Sequence, residues 1–350
     1  MLEVKNLTKY YGDLLAVDDV SFRIEEGEFA TLLGPSGCGK STTLHMIAGL
    51  VEATSGTVHL RGSDVSDTEP YNRNIGLVFQ HSALFPHMTV EENLRYGLKM
   101  QGFDSDHDDQ IAKYLEMVQM TDHADHKPGE LSGGQQRRIS FARALVYEPD
   151  ILLLDEPLTG LDRVLREEMR NEIREIQQEV DVTTLSVTHD QSEALSMSDK
   201  VIVMNEGRKE QAGAPQELYE EPETQFVAEF LGQSTKFEGK VAANDPPMVR
   251  ASNQEIQLAS DIDTDRLDGD SLSLYVRPEK INISTAEKAN GTSNTFVGTV
   301  SHVEYLGHRA ELEVTLDDET TVTAFGNATE EYAVGDEIAV QFDPEGVTIV

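Results

Sequence analysis

Before about residue 235, short continuous apolar runs alternate along the chain with segments of helical periodicity. A strand that helices cover on both faces needs apolar side chains at every position, so these runs predict buried strands of a parallel sheet. A strongly amphipathic helix is predicted between two of the runs, because apolar side chains recur at helical spacing from Leu165 to Val180. The predicted strands are Phe29–Leu33, Ile151–Leu154, Thr183–Val187 and Val201–Met204.

This first part of the chain divides further. Residues 1 to about 81 have the pattern of short strands and turns. Residues from about 82 to 147 are predicted to be mostly helical, because Ile111, Leu115 and Val118 have helical spacing. Strand, helix and strand in this order favour an α/β fold in which helices cover a parallel sheet.

Beyond about residue 235 the pattern changes to alternation of apolar and polar side chains. Such alternation is typical of strands with one buried face. Turn residues such as Val334-Gly335-Asp336 separate the strands. Residues 236–350 are therefore predicted to form a small all-β domain, either a barrel or a sandwich. Its predicted strands include Leu272–Val276, Ala310–Leu316, Thr320–Phe325, Ile338–Phe342 and Val347–Val350.

A glycine-rich segment, Gly34–Ser41, follows the first buried strand and precedes a predicted helix from Thr42 to Leu50. It fits the pattern G-x-x-x-x-G-K-S/T, in which backbone N–H groups surround phosphates and the helix N-terminus adds positive charge. We expect Lys40 to reach the β- and γ-phosphates and the Ser41 hydroxyl to hold Mg²⁺. The alternative is a glycine-rich turn that binds nothing.

An acidic pair, Asp155 and Glu156, ends the most apolar predicted strand. Adjacent side chains on a strand point to opposite faces, but at the end of a strand both can approach one site. Asp155 suits the outer coordination sphere of Mg²⁺, and Glu156 suits a general base that activates water. The alternative is an acidic pair that only meets solvent.

A second helix start suited to an anion lies at Leu131–Gln135, about ninety residues after the phosphate loop. Its sequence, LSGGQ, places Ser132 as an N-cap residue before two glycines and a helix. An ordinary helix start is the alternative. A single nucleotide in a single protomer does not use two such helix ends. Two chains paired head to tail would use both, since each chain would complete the ATP site of the other.

In these motifs the chain resembles the nucleotide-binding subunits of ATP-binding cassette (ABC) transporters, over about residues 1–235. The phosphate loop is similar to the family's Walker A motif, Ile151–Glu156 to its Walker B motif, and Leu131–Gln135 to its signature. The resemblance implies a P-loop NTPase fold, with a RecA-like core and a helical subdomain at about residues 82–147. It also implies ATP hydrolysis at the interface of a homodimer.

The resemblance extends to single residues whose type alone is not diagnostic. Gln80 matches the Q-loop glutamine, which contacts Mg²⁺ and faces the membrane subunit. His189 matches the switch histidine that senses the γ-phosphate, and Tyr11 matches the aromatic residue that stacks on adenine. Asp162 matches the aspartate of the D-loop, although Thr159-Gly160 replaces the more usual Ser-Ala.

The site that the resemblance implies uses ATP and Mg²⁺. Its catalytic residues are Glu156, His189 and Lys40, and its metal-binding residues are Ser41, Gln80 and Asp155. The residues expected to bind the nucleotide are Tyr11, Gly34, Pro35, Ser36, Gly37, Cys38, Gly39, Lys40, Ser41, Thr42, Gln80, Ser132, Gly133, Gly134, Gln135 and Asp162.

The C-terminal region resembles the OB-like regulatory β-domain, called TOBE, of importer ATPases. Val276–Ile281 and Val303–Gly307 carry this resemblance. Over its full length the chain is most similar to importer subunits for spermidine and putrescine or for iron(III), with sugar and inorganic anion importers as alternatives. The β-domain is either a scaffold that stabilises the dimer or the site of an effector.

Other classes of protein fit the sequence less well. A DNA-repair ATPase of this family needs a long coiled coil between the phosphate loop and the signature, and an exporter is usually fused to membrane helices. A translation-factor ATPase carries two cassettes in one chain. The importer interpretation implies partner permease subunits, with His81–Pro86 passing motion to them, and an extracytoplasmic solute-binding protein that acts indirectly.

The charge of the chain narrows the choice of partners. Its 64 acidic and 28 basic residues give a net charge of −36, which disfavours binding to nucleic acid or anionic lipid. Cys38 is the only cysteine, so no intrachain disulfide forms. No apolar run has the roughly 20 residues of a membrane helix. We therefore expect a cytoplasmic protein that the permease holds at the inner face of the membrane.

A net charge of this size predicts that stability depends on salt. The hypothesis is adaptation to a salt-rich cytoplasm, since like charges repel in dilute salt and the screening length falls to ~3 Å near 1 M salt. We expect the midpoint of thermal unfolding to rise steadily from low to molar KCl. A midpoint that does not change with KCl would contradict the hypothesis and leave an ordinary acidic protein.

Overall fold

The protein is described from a computed structural model, which covers residues 1–100, 102, 107–244, 246–251, 254–260, 271–286 and 294–350. The chain forms two compact units, Met1–Gln216 and Glu217–Val350. Among the described residues, no helix is both long and apolar enough to cross a membrane. The boundary at residue 235 between an ATPase domain and a β-domain stays a prediction.

The first unit contains strands and helices in the order that the sequence predicts. Its strands are β1 Leu2–Tyr11, β2 Leu14–Ile24, β3 Phe29–Leu33, β4 Ser55–Leu60, β5 Ser63–Asp64, β6 Ile75–Val78, β7 Ile151–Asp155, β8 Thr183–Thr188, β9 Lys200–Asn205 and β10 Arg208–Gly213. Its helices are α1 Lys40–Ala48, α2 Val90–Met100, α3 Asp108–Met117, α4 Gly133–Leu145, α5 Arg163–Val180 and α6 Gln191–Met197.

These strands form two sheets. An antiparallel sheet has the order β2-β1-β4-β5, and a second sheet has the order β10-β9-β3-β8-β7-β6. In the second sheet β3 is parallel to β8 and β9, β7 is parallel to β8, and β6 is parallel to β7. Only its edge strand β10 is antiparallel, in a hairpin with β9. The α/β fold with a mainly parallel sheet is thereby confirmed.

Apolar cores bury the parallel sheet on both faces, as its apolar runs predict. Along β7, Leu152 and Leu154 belong to a core that contains side chains of α2, α3, α4 and α5. The alternate residues Ile151 and Leu153 belong to a second core, with α1 and the antiparallel sheet. Charged side chains are therefore confined to the ends of these strands, because burying an unpaired charge is costly.

A buried guanidinium holds the C-terminus of α1. Arg73 is 6% exposed and donates hydrogen bonds to the carbonyl oxygens of Met46 and Ile47, at 3.0 and 2.8 Å. Gly49 follows the helix with a φ of 78°, and a Cβ at this position would lie 2.6 Å from Arg73 Nε. These contacts fix the helix whose N-terminal end continues the phosphate loop.

The second unit is a β-domain with short helices. Its strands lie in the sheet orders β13-β12-β11-β14-β20 and β15-β19-β16-β17-β18. Phe237, Phe296 and Phe342 join the two sheets through ring centroids 5.7 to 6.5 Å apart. The strands are β11 Thr235–Asn244, β12 Pro247–Ala251, β13 Gln254–Gln257, β14 Leu272–Val276, β15 Ile281–Thr285, β16 Thr295–Tyr305, β17 Arg309–Leu316, β18 Thr321–Asn327, β19 Glu337–Phe342 and β20 Val347–Ile349. The helices are α7 Pro215–Glu220, within which the division of the units falls, and α8 Gln225–Phe230.

Alternation of buried and exposed side chains holds in β17 and β18 but not in β14 or in β19, where three consecutive residues are buried. In β17 the alternate residues Ala310, Leu312 and Val314 are fully buried, as predicted. The prediction of alternation is wrong for β14, in which all five residues are buried. Residues of α8 bond to the second face of this strand, where the Tyr275 hydroxyl donates to Glu229 Oε1 at 2.8 Å. Helical cover removes the solvent-facing side that the pattern assumes.

Candidate nucleotide site

The loop between β3 and α1 has a conformation that requires glycine. Gly37 and Gly39 have φ values of 83° and 99°, in the left-handed region that side chains disfavour. At Gly39 a Cβ would lie 2.5 Å from the carbonyl oxygen of Ala16, and at Gly34 it would lie 2.1 Å from that of Met204. The glycines of the predicted phosphate loop are therefore structurally required.

Lys40 begins α1 and lies inside this loop. Its side chain is 4% exposed, and Nζ donates to the carbonyl oxygens of Gly34 and Pro35, each at 2.8 Å. Among the described residues, no carboxylate lies within ion-pair distance of Nζ. No carboxylate of the described residues therefore competes with an anionic ligand for this side chain. The neighbouring Cys38 is buried, and burial raises the pKa of its thiol.

Asp155, at the end of β7, connects this loop to the parallel sheet. The Ser41 hydroxyl donates to Asp155 Oδ1 at 3.0 Å, and His45 Nε2 lies 3.0 Å from Oδ2. Burial by itself raises the pKa of Asp155, but the hydrogen bonds to His45 and Ser41 outweigh it and bring the pKa below its ordinary value. Asp155 is therefore a carboxylate at neutral pH.

Parallel pairing brings the predicted site residues to one edge of the sheet. Leu33, before the phosphate loop, pairs with Thr188, which precedes His189. Asp155 pairs with Val187 in the same direction. The strand β6, which ends two residues before Gln80, is parallel to β7. All four connections leave the carboxyl ends of their strands, where α/β sheets bind ligands.

Glu156 has an unusual backbone and a fixed side chain. Its φ of 47° lies in the left-handed region, and its backbone N–H donates to the carbonyl oxygen of Val187 at 3.1 Å. The Thr159 hydroxyl donates to Glu156 Oε2 at 3.0 Å, and His189 Nδ1 lies 3.3 Å from Oε1. Strained backbone of this kind is concentrated at functional sites. The structure therefore brings the predicted base and the predicted switch histidine into contact.

The LSGGQ segment forms a capped helix start, as predicted. The Ser132 hydroxyl accepts from the backbone N–H of Gln135 at 3.3 Å, and the Gln135 side chain accepts from the N–H of Ser132 at 2.9 Å. Space around Gly133 is open, since nothing lies within 4 Å of a Cβ built there. Among the described residues, no hydrogen bond joins this segment to the phosphate loop of the same chain.

The remaining predicted residues surround the same edge or cap helices. Tyr11, at the end of β1, is 47% exposed, and Lys9 Nζ lies 5.0 Å from its ring centroid. Gln80 is exposed, and its carbonyl oxygen accepts from Arg137 at 3.4 Å. Asp162 is the N-cap of α5, where its side chain accepts from the N–H of Leu165. Thr42 is half-buried in the first turn of α1.

Comparison with known proteins assigns the chain to a family. The model of the ABC transporter family matches residues 17–159, and that of the TOBE domain matches residues 274–350. A spermidine/putrescine import ATP-binding protein of Pseudomonas aeruginosa is 43% identical, over 98% of this chain and 97% of its own length. The chain belongs to the import ATP-binding proteins of the ABC transporter family.

Further relatives of this ABC ATPase agree with that assignment. An Fe(3+) ions import ATP-binding protein of Photorhabdus laumondii is 39% identical, over 100% of this chain and 97% of its own length. A solved dimeric ATP-binding cassette in a post-hydrolysis state, bound to ADP and Pi, has a TM-score of 0.55 and 32% identity. The match covers 61% of this chain and 99% of that structure. ATP hydrolysis coupled to import and the P-loop fold are thereby confirmed.

Two side chains that the sequence patterns do not identify, His45 and Thr159, contact predicted site residues. His45 lies four residues after Ser41, one helical turn along α1, and both contact Asp155. That spacing is a signal that could have identified His45. Thr159 is identified only as a departure from the D-loop pattern, and its hydrogen bond to Glu156 has no signal in the sequence.

A third overlooked residue is Glu193, which contacts Thr188, the residue before His189. Its side chain is 7% exposed, and Oε2 accepts a hydrogen bond from the Thr188 hydroxyl at 2.8 Å. Burial, with a smaller contribution from the nearby Asp190, raises the pKa of Glu193 to about 7. The hydrogen bond from Thr188 is the largest opposing effect, and Arg166 and His189 oppose the rise less. The ABC ATPase therefore carries a buried carboxyl group that titrates near neutral pH.

Glu193→Gln should change how stability depends on pH. Between the ordinary pKa of 4.5 and the folded value of about 7, the folded chain binds one more proton here than the unfolded chain, so the free energy of unfolding falls as pH rises. Glutamine does not titrate, so the free energy of unfolding of the variant does not fall for this reason as pH rises. Its stability relative to the parent chain should rise by about 2 kcal/mol from pH 5 to pH 8. Urea unfolding at both pH values measures this, and a constant difference would contradict it.

Proposed function

We propose that two copies of this chain bind ATP between them and that residues at the edge of the parallel sheet hydrolyse it. The arrangement around Glu156 carries the proposal. Its carboxylate is held between Thr159 and His189, at the end of the strand whose last residue, Asp155, binds Ser41. A carboxylate in this position suits a general base.

Phosphate binding is assigned to the loop Gly34–Ser41 and to the first turn of α1, including Thr42. The Lys40 ammonium, which donates to the carbonyl oxygens of Gly34 and Pro35 and to Cys38 Sγ, would exchange these contacts for the β- and γ-phosphates of ATP. The positive end of α1 adds to this attraction. These groups would stabilise negative charge on the transferred phosphate in the transition state.

The donor set at the end of β7 fits Mg²⁺. A hydroxyl and a carboxylate, Ser41 and Asp155, lie together, and hard oxygen donors of this kind suit the ion. Gln80 would add its amide oxygen from the loop after β6. Held by these residues, Mg²⁺ would neutralise negative charge on the phosphates.

Hydrolysis of the γ-phosphate requires an oriented water molecule. Glu156 would accept a proton from that water, and general bases contribute ~10² to 10⁴ in rate. His189 contacts the same carboxylate and lies beyond β8, next to the phosphate loop in the sheet order. This position supports its role as the residue that senses the γ-phosphate.

The signature would act on the partner's nucleotide. Residues Ser132–Gln135 make no hydrogen bond to their own phosphate loop among the residues described, and Gly133 offers an open surface. A helix start of this kind binds anions. Tyr11 would stack on adenine, and Asp162 would lie at the contact between protomers. The dimeric form of the solved cassette bound to ADP and Pi supports this arrangement.

The transported solute is proposed from the relatives. Their names specify import of spermidine and putrescine or of Fe(3+) ions, so we infer a polyamine or iron(III) importer. Sugar or inorganic anion import is the alternative, and a non-transport ATPase is a more distant one. Residues 1–235 would form the ATPase domain and residues 236–350 the regulatory β-domain. The chain would lie at the cytoplasmic face of the membrane, and a solute-binding protein would act through the permease.

An apolar cavity beside Gln80 suits the permease. It has a volume of about 330 Å³, and its lining includes Phe79, Phe85, Tyr96, Met100 and Arg143. Phe79 and Met100 are 39% and 54% exposed, an unusual feature for large apolar side chains unless a partner covers them. Because the cavity adjoins the loop that contains Gln80, a permease segment bound here would sense the nucleotide site.

Glu156→Gln tests the catalytic assignment. Turnover of ATP should fall by ~10² to 10⁴, because the amide cannot accept the proton from water. ATP binding should persist, and dimers should accumulate with ATP, as measured by light scattering after size-exclusion chromatography. The matched control is Glu167→Gln, at a half-exposed position of α5, which should hydrolyse ATP at the normal rate.

Turnover by Glu156→Gln at the normal rate would remove Glu156 from the mechanism.

The dimer is tested separately by adding Ser132→Arg to Glu156→Gln. The double variant should bind ATP but remain monomeric, because the arginine side chain is larger than that of serine and blocks the helix start. If it still dimerises with ATP, the signature does not contact the partner's nucleotide.

Met100→Asp tests the permease surface. A charge in the apolar cavity should abolish co-purification of the chain with its integral membrane permease, whereas ATP hydrolysis by the isolated chain should persist. Val334→Asp, at a 68% exposed position of the second unit, is the control and should co-purify normally. If Met100→Asp co-purifies equally well, the permease binds elsewhere.

A further inference from the structure

The loop that follows Glu156 makes close contact with that residue's side chain. Thr159 Oγ donates to Glu156 Oε2 at 3.0 Å, while His189 Nδ1 lies 3.3 Å from Oε1. The two oxygens of the Glu156 carboxylate therefore contact different side chains. Only the Thr159 contact comes from the loop itself, three residues along the chain.

A guanidinium fixes the backbone of this loop. Arg137, on the helix that begins at the signature, donates to the carbonyl oxygens of Pro157 and Thr159, the second at 2.6 Å, and to that of Gln80 at 3.4 Å. Burial lowers the pKa of Arg137, although the group stays protonated because its ordinary pKa is so high. The carbonyls on either side of residue 158 are thereby held to one helix.

We propose that Thr159 is a positioning residue that orients the Glu156 carboxylate for attack on ATP by water. The proposal rests on the proposed role of Glu156 as the base. A hydroxyl that donates to a carboxylate makes a stronger hydrogen bond than one between neutral groups. The branched side chain of Thr159 has few rotamers, and Arg137 fixes the backbone of Thr159. The hydroxyl therefore holds Oε2 of Glu156 in one place.

This role makes a specific demand on residue 159. The side chain must donate a hydrogen bond, which serine can do and valine, of nearly the same shape as threonine, cannot. Gly160 follows with a φ of 81°, so the chain turns immediately after this donor. The hydroxyl acts on the base and not on the nucleotide, so its loss should affect turnover and leave the affinity for ATP unchanged.

Thr159→Val in the full-length chain is the test. Its kcat should fall roughly ten- to a hundredfold with KM for ATP nearly unchanged, because one hydrogen bond to a charged group is lost and the base is misplaced. Thr159→Ser should restore kcat to within about threefold, which a purely structural role does not require. A normal kcat in Thr159→Val, or an equal loss in Thr159→Ser, would overturn the proposal.

A second comparison separates positioning from dimer contact. In the Glu156→Gln background, adding Thr159→Val should cause no further loss of turnover and no loss of ATP-dependent dimers. If the dimers disappear, Thr159 is an interface residue and the proposal fails. If Glu156→Gln itself hydrolyses ATP normally, the catalytic assignment fails first, whatever Thr159→Val does.

Discussion

Parallel pairing of β3, β8, β7 and β6 determines where the phosphate loop, Asp155, Glu156 and His189 lie. Parallel strands end at a common edge, and here apolar cores cover both faces of the sheet. Charged side chains are therefore absent from the middle of these strands and lie where the strands stop. Ser41, Asp155, Glu156 and His189 come from three different connections and still form direct contacts at that edge.

Several important cations of the first unit bond to carbonyl oxygens. Lys40, Arg73 and Arg137 all have this environment, in a chain whose net charge is −36. Hydrogen bonds from a buried cation to the main chain are much less sensitive to screening than exposed ion pairs, which weaken as salt rises. The phosphate loop, the end of α1 and the loop after Glu156 are thus held by contacts that persist when surface charge is screened.

The sequence was sufficient to predict most of the fold and the main motifs. Buried strands, the helix at Arg163–Val180 and the strand at Ala310–Leu316 were identifiable because each pattern repeats along one element. What could not be predicted depends on partners distant in the chain or on local loop geometry. Helical cover of β14 and the contact of Thr159 with Glu156 are of this kind. Which face of a strand is covered, and where a hydroxyl points, are decided by packing and not by residue type.

Contacts within one chain also connect the signature with Glu156, the proposed base. Gly134 packs near Leu165 of α5. A Cβ atom added to Gly134 would lie 3.4 Å from Leu165 Cδ1. Arg137, two residues after the signature, donates to the carbonyl oxygen of Thr159, whose hydroxyl donates to Glu156. A displacement of α4 would therefore act on Thr159, the proposed positioning residue, through the Arg137 guanidinium. The proposed occupation of the signature by a partner's nucleotide would act through these contacts on the orientation of Glu156.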